Sequence, residues 1–169
     1  MRSVCIFALS LALVGSTLAA DKAPKRRHIN PSTRSANSAP SGDAVLVGDT
    51  LYIAGRIGFE PGTSKLPADV DQEARNLLNG FKAVLTRANM STDDLVNIQV
   101  FSPDPSLYER WNTVYRAYFK KDFPSRGFIT SGPLLFNAHF EMQATAVRGG
   151  VDAVRKKQIK IDPEWAGGN

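Results

Sequence analysis

The feature that most constrains this chain is a change of hydrophobic period that recurs four times between Ala44 and Val147. The run AVLV, the Gly48-Asp49 pair and TLYIAGRIG read as two strands joined by a tight turn, because Gly-Asp supplies the backbone freedom that a hairpin needs. After the Pro- and Gly-rich loop EPGTSKLPAD, the apolar residues Val70, Ala74, Leu77, Leu78, Phe81, Val84, Leu85 and Ala88 recur at helical steps. Asp69 is placed to cap that helix, with Gln72 as its reciprocal partner, and the helix is expected to end near Asn89.

Residues 95–101 alternate as a strand, with Val96, Ile98 and Val100 on one face and Asn97, Gln99 and Phe101 on the other. Asp104-Pro105 opens a second helix, since proline suits the first helical turn. Leu107, Trp111, Val114, Tyr115, Tyr118 and Phe119 give that helix an apolar stripe, read as core. Residues 126–130 and 139–147 close the order ββαβαββ. Each helix must bury one face, which gives a two-layer α+β domain with both helices on one side of the sheet. The other side, where Gln99, Gln143 and Thr145 mix with Phe101 and Val147, calls for cover from an oligomeric partner.

The flanks read differently. Residues 1–20 carry Arg2, an apolar run from Val4 to Val14 and small residues at Ala19 and Ala20, the pattern of a cleaved secretory leader. The expected destination is periplasmic or secreted, with no membrane anchor after cleavage. Cys5 lies inside that leader, so no disulfide is expected in the mature chain. Residues 21–42 are rich in Pro, Ser, Asn and basic residues and read as a flexible linker, with a short ordered stretch expected around His28 to Pro31. The domain then spans residues 43–149, and residues 150–169 form a charged C-terminal tail.

The formal net charge of +5 invites a nucleic-acid reading, but its location argues against one. Six Lys and Arg lie before Ser38 against Asp21 alone, while residues 38–148 hold eleven basic and twelve acidic residues. The folded part is nearly neutral, and a basic arm of this kind reads as a solvated segment. His28 and His139 are the only histidines and are unclustered, so neither a metal nor a cofactor is expected; His139 reads as a satisfied strand-end residue.

What remains for chemistry is Arg126 and Glu141, isolated charges in otherwise uncharged strands. A guanidinium receives a carboxylate with two parallel hydrogen bonds, and a neighbouring carboxylate holds or activates a water. Gly55, Arg56 and Asn112 are further candidates. A structural Arg–Glu pair at the sheet rim is the competing reading. If residues 130 and 141 pair across a final hairpin, Arg126 and Glu141 share a face, and a slip of one residue separates them.

The segments GDTLYIAGRIG, PGTSKLPADV, QEARNLLNGFKAVL, LVNIQVF, WNTVYRAYF, FPSRG and FEMQATAVR, spread over residues 44–148, resemble the RidA family of reactive intermediate imine deaminases, also labelled endoribonuclease L-PSP-like. The resemblance implies a chorismate-mutase-like ββαβαββ fold, a homotrimer with clefts between subunits, and hydrolysis of small 2-imino acids to 2-keto acids and ammonia without metal or cofactor. It implies that Arg126 grips the substrate carboxylate, that Glu141 positions the attacking water, and that Asn112 and the backbone around Gly55 line the cleft.

The chain departs from the family pattern at several places. Ser41 stands where many members have an aromatic, Ala54 and Arg56 replace the serine and glutamine of an SGQ motif, Phe128 replaces a small residue in the cleft, and Gln143 replaces a glutamate. The carboxylate grip is kept while hydroxyl partners are lost, each typically worth about 0.5–1.5 kcal/mol. The expectation is an exported member that binds small 2-imino or 2-keto acids between subunits, with imine hydrolysis as its reaction. The alternatives are a non-catalytic carboxylate-binding trimer and an RNA-binding or endoribonuclease member.

Overall fold

A computed structural model of the chain describes residues 25–31, 40–119 and 122–149. The leader, Cys5 and the C-terminal tail lie outside the described residues. The elements are β1 (Arg26–Ile29), β2 (Ala44–Val47), β3 (Thr50–Ile57), α1 (Val70–Arg87), β4 (Leu95–Ser102), α2 (Tyr108–Arg116), β5 (Ser125–Thr130) and β6 (Glu141–Val147). The six described strands form one sheet in the order β1-β2-β3-β6-β4-β5.

The β2–β3 hairpin forms at the expected turn: Val47 pairs with Thr50, and Gly48 takes a φ of 57° that a side chain would resist. β4 and β5 run parallel, joined through α2, and β6 inserts between β3 and β4, antiparallel to both. The expected final hairpin is therefore absent, because β5 and β6 are not neighbours. A parallel pair needs a long crossover, and α2 supplies it.

Asp69 caps α1 by accepting from the amide of Asp71 at 3.1 Å. The expected reciprocal bond from Gln72 does not form; its side chain is engaged along the helix with Asn76 and Arg75. The predicted stripe of α1 is buried from Ala74 to Ala88, packed with Trp111, Val114, Tyr115 and Phe119 and with the sheet residues Leu51, Ile53, Ile98, Val100, Met142 and Ala146.

Two local corrections follow from long-range pairing. A register shift between Leu95 and Asn97 puts Leu95 in the core and leaves Val96 half-buried, so the expected face is occupied by Leu95, Ile98, Val100 and Ser102. Within the segment read as linker, the short ordered stretch expected around His28 to Pro31 lies slightly earlier, at Arg26–Ile29, which pairs along β2 and buries only Ile29. Charged residues on an edge strand block further pairing, which is why RRHI tolerates that place without a strand-like apolar pattern.

Candidate functional site

Arg126 owes its direction to β5. Its Cα partner is Ile98 and that of Phe128 is Val100, so both side chains leave the sheet on the helix side, beneath α2. There the Arg126 Nη2 donates to Asn112 Oδ1 at 2.7 Å, and the guanidinium lies 4.6 Å from the ring centroid of Tyr115 and 5.8 Å from that of Tyr108. Asn112 is only 5% exposed, and a buried amide oxygen of that kind needs a donor, which Arg126 supplies. Rings stacked near a cation add attraction that grows as water is excluded.

Phe128 meets Tyr108 edge to face at 5.2 Å. A cavity of about 290 Å³ opens over this group, lined by Tyr108, Asn112, Tyr115, Arg116, Phe123, Pro124 and Arg126. Burial pushes the Tyr115 phenol up to about 12, partly opposed by Arg126, so the ring facing the guanidinium is neutral at ordinary pH. Among the described residues Arg126 forms no ion pair, and Glu141 is not its partner. The structural Arg–Glu pair is thereby overturned.

Glu141 points the other way. It opens β6 opposite Ile57 and Phe101, while its neighbour Met142 is fully buried toward the helices. Alternation then sends Glu141 to the open face with Gln143 and Thr145. Its carboxylate lies over Gly55, where an added Cβ would come 2.2 Å from Oε1. Ala54 and Gly55 form a bulge, two residues set against Gln143 between the pairs Ile53–Ala144 and Arg56–Met142.

That bulge turns Arg56 to the helix side, where Nη1 lies 3.1 Å from Asp43, which also binds Arg87. The predicted residues thus fall into three groups: Arg126 with Asn112 and Phe128, Glu141 with Gly55, and Arg56 in an ion-pair network. The open face beside Glu141 carries a second cavity of about 310 Å³, lined in part by Tyr52, Asn97, Gln99, Gln143 and Thr145.

Three residues of consequence escape the sequence reading. Tyr108 and Arg116 sit with Asn112 at four-residue steps along α2, a helical spacing that placed them on Asn112's face. Glu73 is fully buried in the apolar stripe of α1, three residues after Val70, a position where a carboxylate signals a partner. Its partners are the amides of His139 and Phe140, at 2.8 and 3.1 Å, and His139 Nδ1 at 2.7 Å. His139 is satisfied as expected. Among the described residues no three His, Cys, Asp or Glu side chains converge as a metal cage would require.

The profile of the family described as Endoribonuclease L-PSP matches residues 33–148. The 2-iminobutanoate/2-iminopropanoate deaminase of Capra hircus is 32% identical over 125 residues, covering 73% of this chain and 91% of the goat protein. The human protein of the same name is 30% identical over an equal span. The crystal structure of the YjgF gene product from E. coli superposes with a TM-score of 0.67 at 30% identity, over 72% of this chain and 98% of that one. RidA from the Antarctic bacterium Psychrobacter gives the same TM-score at 26% identity, with the same coverage of both chains. Arrangement of elements, length of match and the deaminase relatives converge: this chain belongs to the RidA family, the family of endoribonuclease L-PSP.

Proposed function

We propose that this chain is an exported homotrimer that binds small 2-imino and 2-keto acids in clefts between protomers and hydrolyses the imines to keto acids and ammonia. The observation that carries the reading is Arg126: a guanidinium held by Asn112 and two tyrosine rings, with no carboxylate partner among the described residues, facing a cavity. A positioned fork of this kind, with donors to spare, receives a carboxylate bidentately. Arg126 and Glu141 leave opposite faces of one sheet, so a site that uses both takes Arg126 from one protomer and Glu141 with Gly55 from the next. The deaminase names of the goat and human relatives support the reaction.

In such a cleft the substrate carboxylate sits on Arg126, which fixes the imine carbon relative to Glu141. Glu141 accepts a proton as water adds to that carbon and returns it to nitrogen, giving the carbinolamine; a second proton then passes from the new hydroxyl through Glu141 to the amine, the carbon–nitrogen bond breaks, and ammonia leaves as the carbonyl forms. Ammonia release from freshly generated 2-iminobutanoate by the mature chain tests this. We expect release well above an Arg126→Ala control, and equal rates would contradict the reaction.

Ala54, beside Gly55 in the bulge, has no hydroxyl to orient a substrate, and this favours a second reading: a trimer that binds 2-keto acids without turnover. Heat on titrating 2-ketobutyrate, sensitive to Arg126→Ala, combined with no ammonia release would select it. Export is tested by locating the protein after expression with residues 1–20 intact, where a mature terminus near Asp21 outside the cytoplasm is expected and an uncleaved cytoplasmic chain would contradict it.

A further inference from the structure

The cavity over Arg126 contains a second guanidinium that binding of a monocarboxylate leaves unanswered. Arg116 lines the same space of about 290 Å³, whose lining includes two arginines and no carboxylate. Arg56, Arg75, Arg87 and Arg110, on the neighbouring elements, each pair with an aspartate. Arg116 is exposed and makes no ion pair with a described residue. Its place in the last turn of α2 suits a basic residue through the helix dipole, which accounts for its sign but not for its position beside Arg126.

The helix sets the spacing. Tyr108, Asn112 and Arg116 follow one another at four-residue steps, so they line one face of α2, each about 6 Å further along the axis. Asn112 touches Arg126, which puts the Arg116 side chain one turn beyond the primary grip. The same space is lined by the rings of Tyr115 and Phe123, stacked at 6.1 Å, an apolar wall that strengthens electrostatic attraction to whatever displaces water from it. Two like charges around one small cavity repel, and a ligand with two anionic groups relieves both.

We infer that this site selects dianionic 2-imino and 2-keto acids, short dicarboxylic acids whose 2-oxo or 2-imino carboxylate rests on Arg126 while the distal acid group rests on Arg116. The inference depends on the reading above only in assigning Arg126 to a carboxylate. Arg116 is then the specificity-determining residue, and a dicarboxylate of four or five carbons has the length to bridge one helical turn.

Calorimetric titration of the mature chain with 2-oxoglutarate and with 2-ketobutyrate tests it. We expect 2-oxoglutarate to bind at least about tenfold tighter, which corresponds to one decade in Kd. Arg116→Ala should bring the ratio of the two affinities to near one, and Arg116→Lys should restore most of it. Equal affinities in the parent chain, or a ratio unmoved by Arg116→Ala, would overturn the inference while leaving the carboxylate grip intact. Failure of both ligands to bind, or binding indifferent to Arg126→Ala, would overturn the grip itself and the inference with it.

Discussion

At Gly55 a single missing methyl decides where a carboxylate can lie. A Cβ there would meet Glu141 Oε1 at 2.2 Å, and because that oxygen ends a flexible side chain, Gly55→Ala displaces Glu141 without breaking the sheet. The expected outcome is a stability loss below about 1 kcal/mol with most imine turnover gone, read by urea unfolding and ammonia release. Gly58 contrasts: its Cβ would lie 2.0 Å from the Glu73 carbonyl oxygen, backbone that cannot swing away. Gly58→Ala should cost about 3 kcal/mol, and equal costs at the two glycines would contradict the geometry. Tyr115 gives a pH dependence. Its folded value of about 12 exceeds that of an unfolded tyrosine, so the native state holds the proton more tightly. Stability is then complete below about pH 10 and falls as pH rises from there toward 12. Tyr115→Phe keeps the ring under Arg126 and removes the titrating phenol, so the denaturation midpoint should fall less steeply across that window. An unchanged slope would count against the burial argument.

Among the elements, what could be read from sequence was local and what could not was long-range. The stripes of α1 and α2 follow from steps of three and four residues, and the β2–β3 hairpin follows from Gly48-Asp49, all decided within a few positions. The neighbours of β6 are β3 and β4, and nothing near residues 141–147 names them. The order β4-α2-β5 did contain the clue that β4 and β5 lie parallel, since a strand-helix-strand crossover favours that pairing. A β5–β6 hairpin runs against that preference, and with β5 paired to β4 instead, Arg126 and Glu141 fall on opposite faces. The residue types of the site were legible because isolated charges in apolar strands stand out; their separation was not, because register set far away decides it. The start of β6 is fixed by Glu73, whose buried carboxylate holds the amides of His139 and Phe140. Glu73→Ala strands those donors and should cost about 3 kcal/mol, whereas Glu73→Gln keeps one acceptor and should cost about 1 kcal/mol. Guanidinium unfolding of both variants checks the order, and a reversed order would contradict the role given to the carboxylate.

For the whole molecule, the sheet has one face covered by α1 and α2 and one face without cover from the described chain. Tyr52 is 55% exposed there, beside Asn97, Gln99, Gln143 and Thr145, a mixture too polar for a buried core and too apolar to be merely solvated. In the assembly proposed above, a trimer would cover that face and by the same contact bring Glu141 of one protomer toward Arg126 of another. The central claim is that each site takes its two charged residues from different chains. Refolding a mixture of Arg126→Ala and Glu141→Gln chains tests it directly, with ammonia release from 2-iminobutanoate as the readout. Each variant alone should be inactive, and the mixture should regain activity, because some interfaces then join an intact Arg126 to an intact Glu141. A mixture that refolds into mixed oligomers yet stays as inactive as its parts would contradict the claim.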